Sequence, residues 1–268
     1  MLLRSADNYW QKGKNEMKKK VVVTGAGDSV GRLIAERFMA SGAMVHICDI
    51  RKNAVADTLK ANPGMHGTVA NVGKQADVET MFDQAFAWMG HVNILVNMVG
   101  IAGPTALIED ISCEEWRESI EVNLNGMFYS IRKVVPEMKK RREGCIINFS
   151  TSSTRTGLPK RTPYVVSKYG VEGLTRNLAR ELGPFNIRCN AVLPGGINNE
   201  RSKIILRRIA DAEGKTLEEV RKQDMKYVSM RTYIEPAELA DMVLFLSSEA
   251  APHITGQLIG VDGNAEWE

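Results

Sequence analysis

The chain has 268 residues, 44% hydrophobic and 25% charged, a composition that fits one large α/β domain or two small ones and argues against an unfolded chain. Thirty-five basic against 32 acidic residues leave a net charge of +3, too small and too evenly spread for nucleic acid to be the main partner. No apolar run approaches the ~20 residues that span a membrane, and the four histidines and four cysteines lack metal-ligand spacing.

Leu2-Leu3 is too short for the apolar core of a signal peptide. Residues 1–17 are polar and irregular and read as an N-terminal tail before a single domain over 18–268. Met17, ahead of Lys18-Lys19-Lys20, makes a second plausible start beside Met1. Cys48, Cys145 and Cys189 lie in or beside apolar runs, the pattern of buried reduced thiols in a cytoplasmic protein; Cys113 stands apart.

Val21-Val22-Val23 predicts a strand buried on both faces. It runs into Thr24-Gly25-Ala26-Gly27-Asp28-Ser29-Val30-Gly31, then a helix with Leu33, Ile34, Arg37 and Phe38 in register. A second strand, Met44 to Cys48, stops at Asp49-Ile50. A glycine-rich turn feeding a helix presents backbone N–H groups to a pyrophosphate, and an acidic residue after the second strand accepts from ribose hydroxyls. Asp49 favours NAD, because it would repel a 2′-phosphate; Arg51 nearby leaves room for NADP. The other reading is a ligand-free βα turn.

Alternation continues with a helix around Val55–Lys60, a strand Gly67–Ala70 ended by Asn71-Val72, a helix Ala76–Met89 and a strand Ile94–Asn97. This pattern predicts a parallel sheet with ligands beyond the C-terminal strand ends, where Gly25, Asp49, Asn71 and Asn97 fall. Ser112-Cys113-Glu114-Glu115 is a capping box opening one long helix to about Lys140, interrupted by Asn123 and Asn125. A fifth strand, Ile146–Phe149, leads into the hydroxyl run Ser150-Thr151-Ser152-Ser153-Thr154. Thr162-Pro163 reads as N-cap and first helical residue of a helix to Leu182. On it Tyr164 and Lys168 share one face, and an ammonium beside a phenol brings it within reach of proton transfer. The same spacing also suits an amphipathic helix with a solvated lysine. A sixth strand, Arg188–Leu193, ends in Pro194-Gly195-Gly196. Residues 198–230 are charged and helical without a deep apolar face, the pattern of a lid. A helix from Glu235-Pro236 to Ser247 and a strand within Gly256–Gly263 close the chain.

In this order the motifs resemble the classical short-chain dehydrogenase/reductase family, over residues 18 to 264. The resemblance implies a single-domain Rossmann fold, a doubly wound parallel sheet of about seven strands with helices on both faces. It implies a catalytic set of Asn123, Thr151, Tyr164 and Lys168, with Ser152 as an alternative hydroxyl, because the family's serine stands thirteen residues before the tyrosine. It further implies cofactor contacts from Gly25, Gly27, Asp28, Ser29, Val30, Gly31, Asp49, Ile50, Asn71, Val72, Asn97, Val99, Gly100, Tyr164, Lys168, Pro194, Gly195, Ile197 and Asn199. Some positions depart from the family pattern: Ser29 replaces a glycine for which Gly27 could compensate, Asn71 replaces an aspartate and Asn199 a threonine. Asn97-Met98-Val99-Gly100 stands where Asn-Asn-Ala-Gly is usual.

The implied activity is NAD-dependent hydride transfer between a nicotinamide cofactor and a secondary alcohol or ketone. Arg155, Lys160 and Arg161 near the hydroxyl run, and Arg201, Lys203, Arg207 and Arg208 in the lid, suit a polar substrate such as a sugar or hydroxy acid, or simply a solvated surface. The alternatives are an NADP-dependent 3-oxoacyl-thioester reductase and a non-catalytic nucleotide-binding scaffold. The family also implies a cytoplasmic homotetramer or homodimer, using the helices Ser112–Lys140 and Pro163–Leu182.

Overall fold

The computed structural model describes residues 18–266, the side chains of Arg201, Ile205, Arg208, Ile209 and Ala212 excepted. The expected tail over 1–17 lies outside the described residues. Val21, Val22 and Val23 are fully buried in β1 (Lys20–Thr24). Both edges of β1 are paired, to β2 (Met44–Asp49) and β4 (Ile94–Asn97), so its side chains have helices above and below. With β3 (His66–Val69), β5 (Gly144–Phe149), β6 (Ile187–Pro194) and β7 (Leu258–Val261) the sheet has seven strands in the order β3-β2-β1-β4-β5-β6-β7. Every pairing is parallel.

One face is covered by α1 (Ser29–Ala40), α2 (Lys52–Ala61) and α10 (Pro236–Ser247), burying Ile34, Phe38, Leu239, Val243 and Leu246. The other carries α3 (Gln75–Met89), α5 (Gly126–Arg141) and α7 (Thr162–Leu182), burying Phe82, Met138, Val171 and Leu182. Each such side chain contributes about 1.5–3 kcal/mol on burial, so the two apolar faces hold the layers without disulfides; Cys48, Cys145 and Cys189 are buried free thiols and Cys113 is exposed. Chain order reverses direction between β1 and β4, which opens a crevice there.

Three local expectations change. The Ser112 capping box forms, but the long helix is divided into α4 (Cys113–Ile120), a π-helical turn over Glu121–Asn125, and α5. Thr162 is the first residue of α7, and Arg161 is its cap, without a side-chain capping bond. The charged segment after β6 does have an apolar face. Its helices α8 (Glu200–Glu213) and α9 (Leu217–Asp224) enclose a small separate core of Leu206, Ala210, Val220, Met225, Val228 and Tyr233.

Among the described residues no helix is long and apolar enough to cross a membrane.

Candidate active site

The β1–α1 turn is shaped by close approaches. A Cβ on Gly31 would lie 2.3 Å from the Gly25 carbonyl oxygen, and one on Gly27 2.8 Å from Asp49 Oδ2. Ser29, where a glycine was expected, itself takes the left-handed conformation, with φ of 50°. Gly27 therefore does not stand in for it; Gly27 is needed for its contact with Asp49.

Beyond this turn a cleft of about 970 Å³ is lined by Gly25, Asp28, Ser29, Val30, Asp49, Ile50, Asn71, Val72, Val99, Gly100, Ile197 and Asn199, all expected there. Arg51, Met98, Ile101, Val122 and Asn198 also line it. Asn71 Oδ1 accepts from the Gly73 N–H at 3.0 Å, and Asn199 Oδ1 accepts from the Ser202 N–H at 2.9 Å, capping α8. Both substituted positions are thus turn-forming groups at the rim.

At one end of the cleft Asp49 is 7% exposed. Its carboxylate accepts from the Gly27 N–H at 3.1 Å and from Arg51 Nε and Nη2 at 3.1 and 3.2 Å. Burial works against its charge, but hydrogen bonds and the charge of Arg51, with the Gly27 N–H, outweigh it and hold the carboxyl below its ordinary range. Arg51 Nη1 also reaches Asp28 Oδ2 at 2.6 Å, so one guanidinium bridges two carboxylates.

The catalytic candidates gather at the other end. Lys168 is 3% exposed and donates from Nζ to the Phe149 carbonyl at 2.8 Å; desolvation lowers its pKa to about 8. Its Nζ lies 5.9 Å from the Tyr164 ring centre. Asn123 sits in the π turn, accepts from the Ile101 N–H at 2.7 Å, and donates to the Ile101 carbonyl and Ser167 Oγ, each at 3.0 Å. Gly100 joins both ends: a Cβ there would lie 3.0 Å from Lys168 Nζ and 3.6 Å from Asn123 Oδ1. Thr151 follows β5 and is 7% exposed, with Oγ1 3.3 Å from both Ser153 Oγ and the Ser153 N–H. Ser152 is tied through its N–H to the Pro194 carbonyl at 3.0 Å.

Asn97 is not brought to the cleft. It is 1% exposed and donates to Asn148 Oδ1 at 2.9 Å within the sheet, because its side chain turns toward β5. Gly31 packs under the turn and Gly195 against Asp262, so neither lines the cleft. One group escaped the sequence reading: Glu172, on α7, accepts from Ser150 Oγ at 2.8 Å and Thr154 Oγ1 at 2.5 Å. A buried-looking Glu one turn after Lys168, opposite a hydroxyl run, was the available signal. Among the described residues no three His, Cys, Asp or Glu are placed to hold a metal ion.

A family model described as enoyl-(acyl carrier protein) reductase matches residues 25–264. The 3-oxoacyl-[acyl-carrier-protein] reductase of Thermotoga maritima is 33% identical over 249 residues, covering 91% of this chain and 96% of the relative. The chain belongs to the classical short-chain dehydrogenase/reductase family. It is an oxidoreductase of the nicotinamide-dependent kind that acts on carbonyl and hydroxyl groups.

Solved structures of this dehydrogenase/reductase fold agree in architecture and differ in cofactor. A levodione reductase matches with a TM-score of 0.84 at 27% identity, covering 92% of this chain and 98% of that one. An NAD+-bound xylitol dehydrogenase gives 0.84 at 25% identity, with coverage of 91% and 98%. An actinorhodin polyketide ketoreductase with NADPH gives 0.86 at 28% identity, with coverage of 92% and 96%.

Proposed function

We propose that this protein is an NAD-dependent dehydrogenase of a secondary alcohol. Asp49 is the observation that supports this reading. Its carboxylate is buried, ionised and fixed at the end of the crevice where an adenosine ribose would lie, a match for ribose hydroxyls and a mismatch for a 2′-phosphate. Asp28 adds a second carboxylate at the same end. Arg51 is held by both carboxylates and is poorly placed to serve a phosphate instead.

Gly25, Ser29, Val30, Asp49 and Gly100, which line the cleft, would hold a nicotinamide dinucleotide, and that group would supply the hydride chemistry that interconverts a secondary alcohol and a ketone, leaving one proton for the protein to handle. Tyr164 takes that proton, or returns it in the reverse direction. The Lys168 ammonium stabilises negative charge on the Tyr164 oxygen, and its burial strengthens the effect by excluding water. Thr151 holds the substrate oxygen, with Ser152 as the alternative hydroxyl. The Asn123 side chain accepts from the Ile101 N–H and donates to the Ile101 carbonyl and Ser167 Oγ, bracing the cleft wall against α7. The segment of α8 and α9 acts as the lid.

The relatives named 3-oxoacyl-[acyl-carrier-protein] reductase, with the polyketide ketoreductase solved with NADPH, favour a second reading, an NADPH-dependent ketoreductase. Nicotinamide fluorescence during titration with NADH and NADPH separates the two. NADH should bind at least about tenfold more tightly, roughly 1.4 kcal/mol, and Asp49→Ser should narrow the gap. NADPH preference would replace the first reading with the second, and binding of neither would remove both.

A further inference from the structure

Tyr164 lies in the first turn of α7, a helix that begins without a side-chain cap. Contacts with other elements therefore decide where that turn stands. On one side, Arg161 Nη1 donates to Thr105 Oγ1 at 2.7 Å and the Ala106 N–H donates to the Lys160 carbonyl at 3.0 Å, fastening the approach to α7 to the loop after β4. On the other side is Ser167, a fully buried residue one turn beyond the tyrosine. Its Oγ donates to the Tyr164 carbonyl at 2.7 Å and accepts from Asn123 Nδ2 at 3.0 Å.

A serine bonded back to a carbonyl one turn earlier is common in helices. Here the second bond gives it a consequence. The Ile101 N–H faces Asn123 Oδ1 at 2.7 Å, which turns Nδ2 toward the Ile101 carbonyl and Ser167 Oγ, each at 3.0 Å. Both Nδ2 hydrogens are then used, and a flipped amide would set donor against donor. A buried path of hydrogen bonds thus runs from the main chain of Ile101, in the cleft wall, through Asn123 and Ser167 to the main chain of Tyr164. The packing is close along it: Gly170 shares the Ser167 face of α7, and a Cβ there would lie 2.7 Å from Leu124 Cδ2 in the π turn. Gly100, beside Ile101, meets Lys168 Nζ in the same way, at 3.0 Å from its Cβ position. One short piece of wall therefore faces Lys168 directly and Tyr164 through Ser167.

We infer that Ser167 is a positioning residue for proton transfer: its hydroxyl carries the placement of the cleft wall to Tyr164, and so sets where the tyrosine oxygen stands relative to a substrate held in the cleft. This rests on the assignment of Tyr164 as the proton-transferring group. A hydroxyl suits the position because one atom both accepts from Asn123 and donates to Tyr164. Alanine would leave an Asn123 N–H without an acceptor in a place closed to water. A misplacement of about 1 Å costs on the order of a hundredfold in rate, so a link made of two hydrogen bonds is enough to govern turnover.

The test uses the full chain with fluorotyrosine in place of its six tyrosines, read by fluorine NMR with and without NADH. Tyr164→Phe identifies the Tyr164 signal. Ser167→Ala should move or broaden that signal and leave the signal of Tyr233, bonded to Asp224 in the lid, in place. Asn123→Ala should have the same effect, and the double variant should add little to either single one. Ser167→Thr restores the hydroxyl and should bring the signal back toward the parent's. Turnover is followed with NAD and either xylitol or 3-hydroxybutyrate, whichever reacts faster. In Ser167→Ala, kcat should fall about ten- to a hundredfold, with KM for the alcohol and NADH affinity within about twofold of the parent; threonine should recover most of the loss. If Ser167→Ala does not fold, Ser167→Cys, which keeps the side-chain shape and weakens the acceptor, should show the same changes in smaller degree. An unchanged Tyr164 signal in Ser167→Ala overturns the inference, whether or not either alcohol is turned over. A moved signal with kcat intact overturns it too, leaving Ser167 as a packing residue. Full turnover in Tyr164→Phe, or a parent that binds no NADH, counts against the dehydrogenase reading instead and shows up separately from the Ser167 result.

Discussion

His46 stands in β2 with 2% of its surface exposed, its Nε2 3.0 Å from Thr68 Oγ1. Its Nδ1 is buried and has no hydrogen-bond partner among the described residues. Desolvation, with a smaller repulsion from His66, lowers its pKa to about 4, against 6.5 for the free side chain. Above pH 6.5 the ring is neutral in both folded and unfolded chains and costs nothing. As pH falls from 6.5 to 4 the unfolded chain gains a proton that the folded one refuses, so stability declines across that window and levels off below it. The loss attributable to this ring is about 3 kcal/mol. Denaturant titrations across this range should show a flatter pH dependence for His46→Gln than for the parent, and parallel curves would refute the assignment. Nothing in the residue order marks this imidazole, since a histidine in an apolar strand looks alike whether its neighbour is a threonine or solvent. Tyr164 and Lys168, by contrast, were readable because their relation is fixed by helix spacing alone. Arg161 with Thr105 was not, because that pairing crosses 56 residues and depends on how two loops meet.

The strands and helices of the sheet layers follow from apolar runs and glycine turns, which report burial directly. The π turn over Glu121–Asn125 is different. The apolar stripe Trp116, Ile120, Leu124, Phe128 and Ile131 continues through it, so periodicity alone reads one unbroken helix; Asn123 and Asn125, with Gly126 after them, marked the place. Gly126 is needed there, since a Cβ would lie 2.8 Å from the Val72 carbonyl oxygen. The small core under α8 and α9 was missed because Leu206, Ala210 and Val220 are spread among many charges. Between elements, Glu172 fastens the hydroxyl segment to α7. Its Oε1 takes Ser150 and Thr154, and Tyr169 OH donates to the Thr154 carbonyl. This clamp sets where Thr151 stands relative to Tyr164, so Glu172 is a positioning residue. Glu172→Ala removes the shared acceptor of two buried hydroxyls, but Thr154 Oγ1 keeps the Thr151 carbonyl at 2.8 Å and Ser150 Oγ the Lys168 carbonyl at 3.4 Å, so the stability cost should be modest, about 1 kcal/mol. The substitution should also lower kcat roughly ten- to a hundredfold through misplacement, with KM for the cofactor unchanged. Glu172→Gln keeps an acceptor and should recover most of kcat. A fall in melting temperature with kcat intact would reduce Glu172 to a packing role.

For the molecule as a whole, the helices on the α5–α7 side of the sheet leave large apolar side chains in solvent. Phe128 on α5 is 46% exposed, and Val166 and Tyr169 on α7 are 42% and 52% exposed. Scattered exposed apolar residues are ordinary on a monomer. These three stand out because they lie on the helices whose inner faces hold Tyr164, Lys168 and the wall of the cleft. A second copy covering them would remove apolar area from water and stiffen the site at once. The expected assembly is a homodimer or homotetramer through these helices. Light scattering after size exclusion should give a multiple of the chain mass for the parent. The pair Phe128→Glu and Val166→Glu places buried charges against apolar surface, a cost of several kcal/mol per subunit contact, and should give monomers with reduced kcat. Monomeric parent protein at assay concentration would end this assignment. An oligomer untouched by both substitutions would move the interface to another face and leave these residues as ordinary surface.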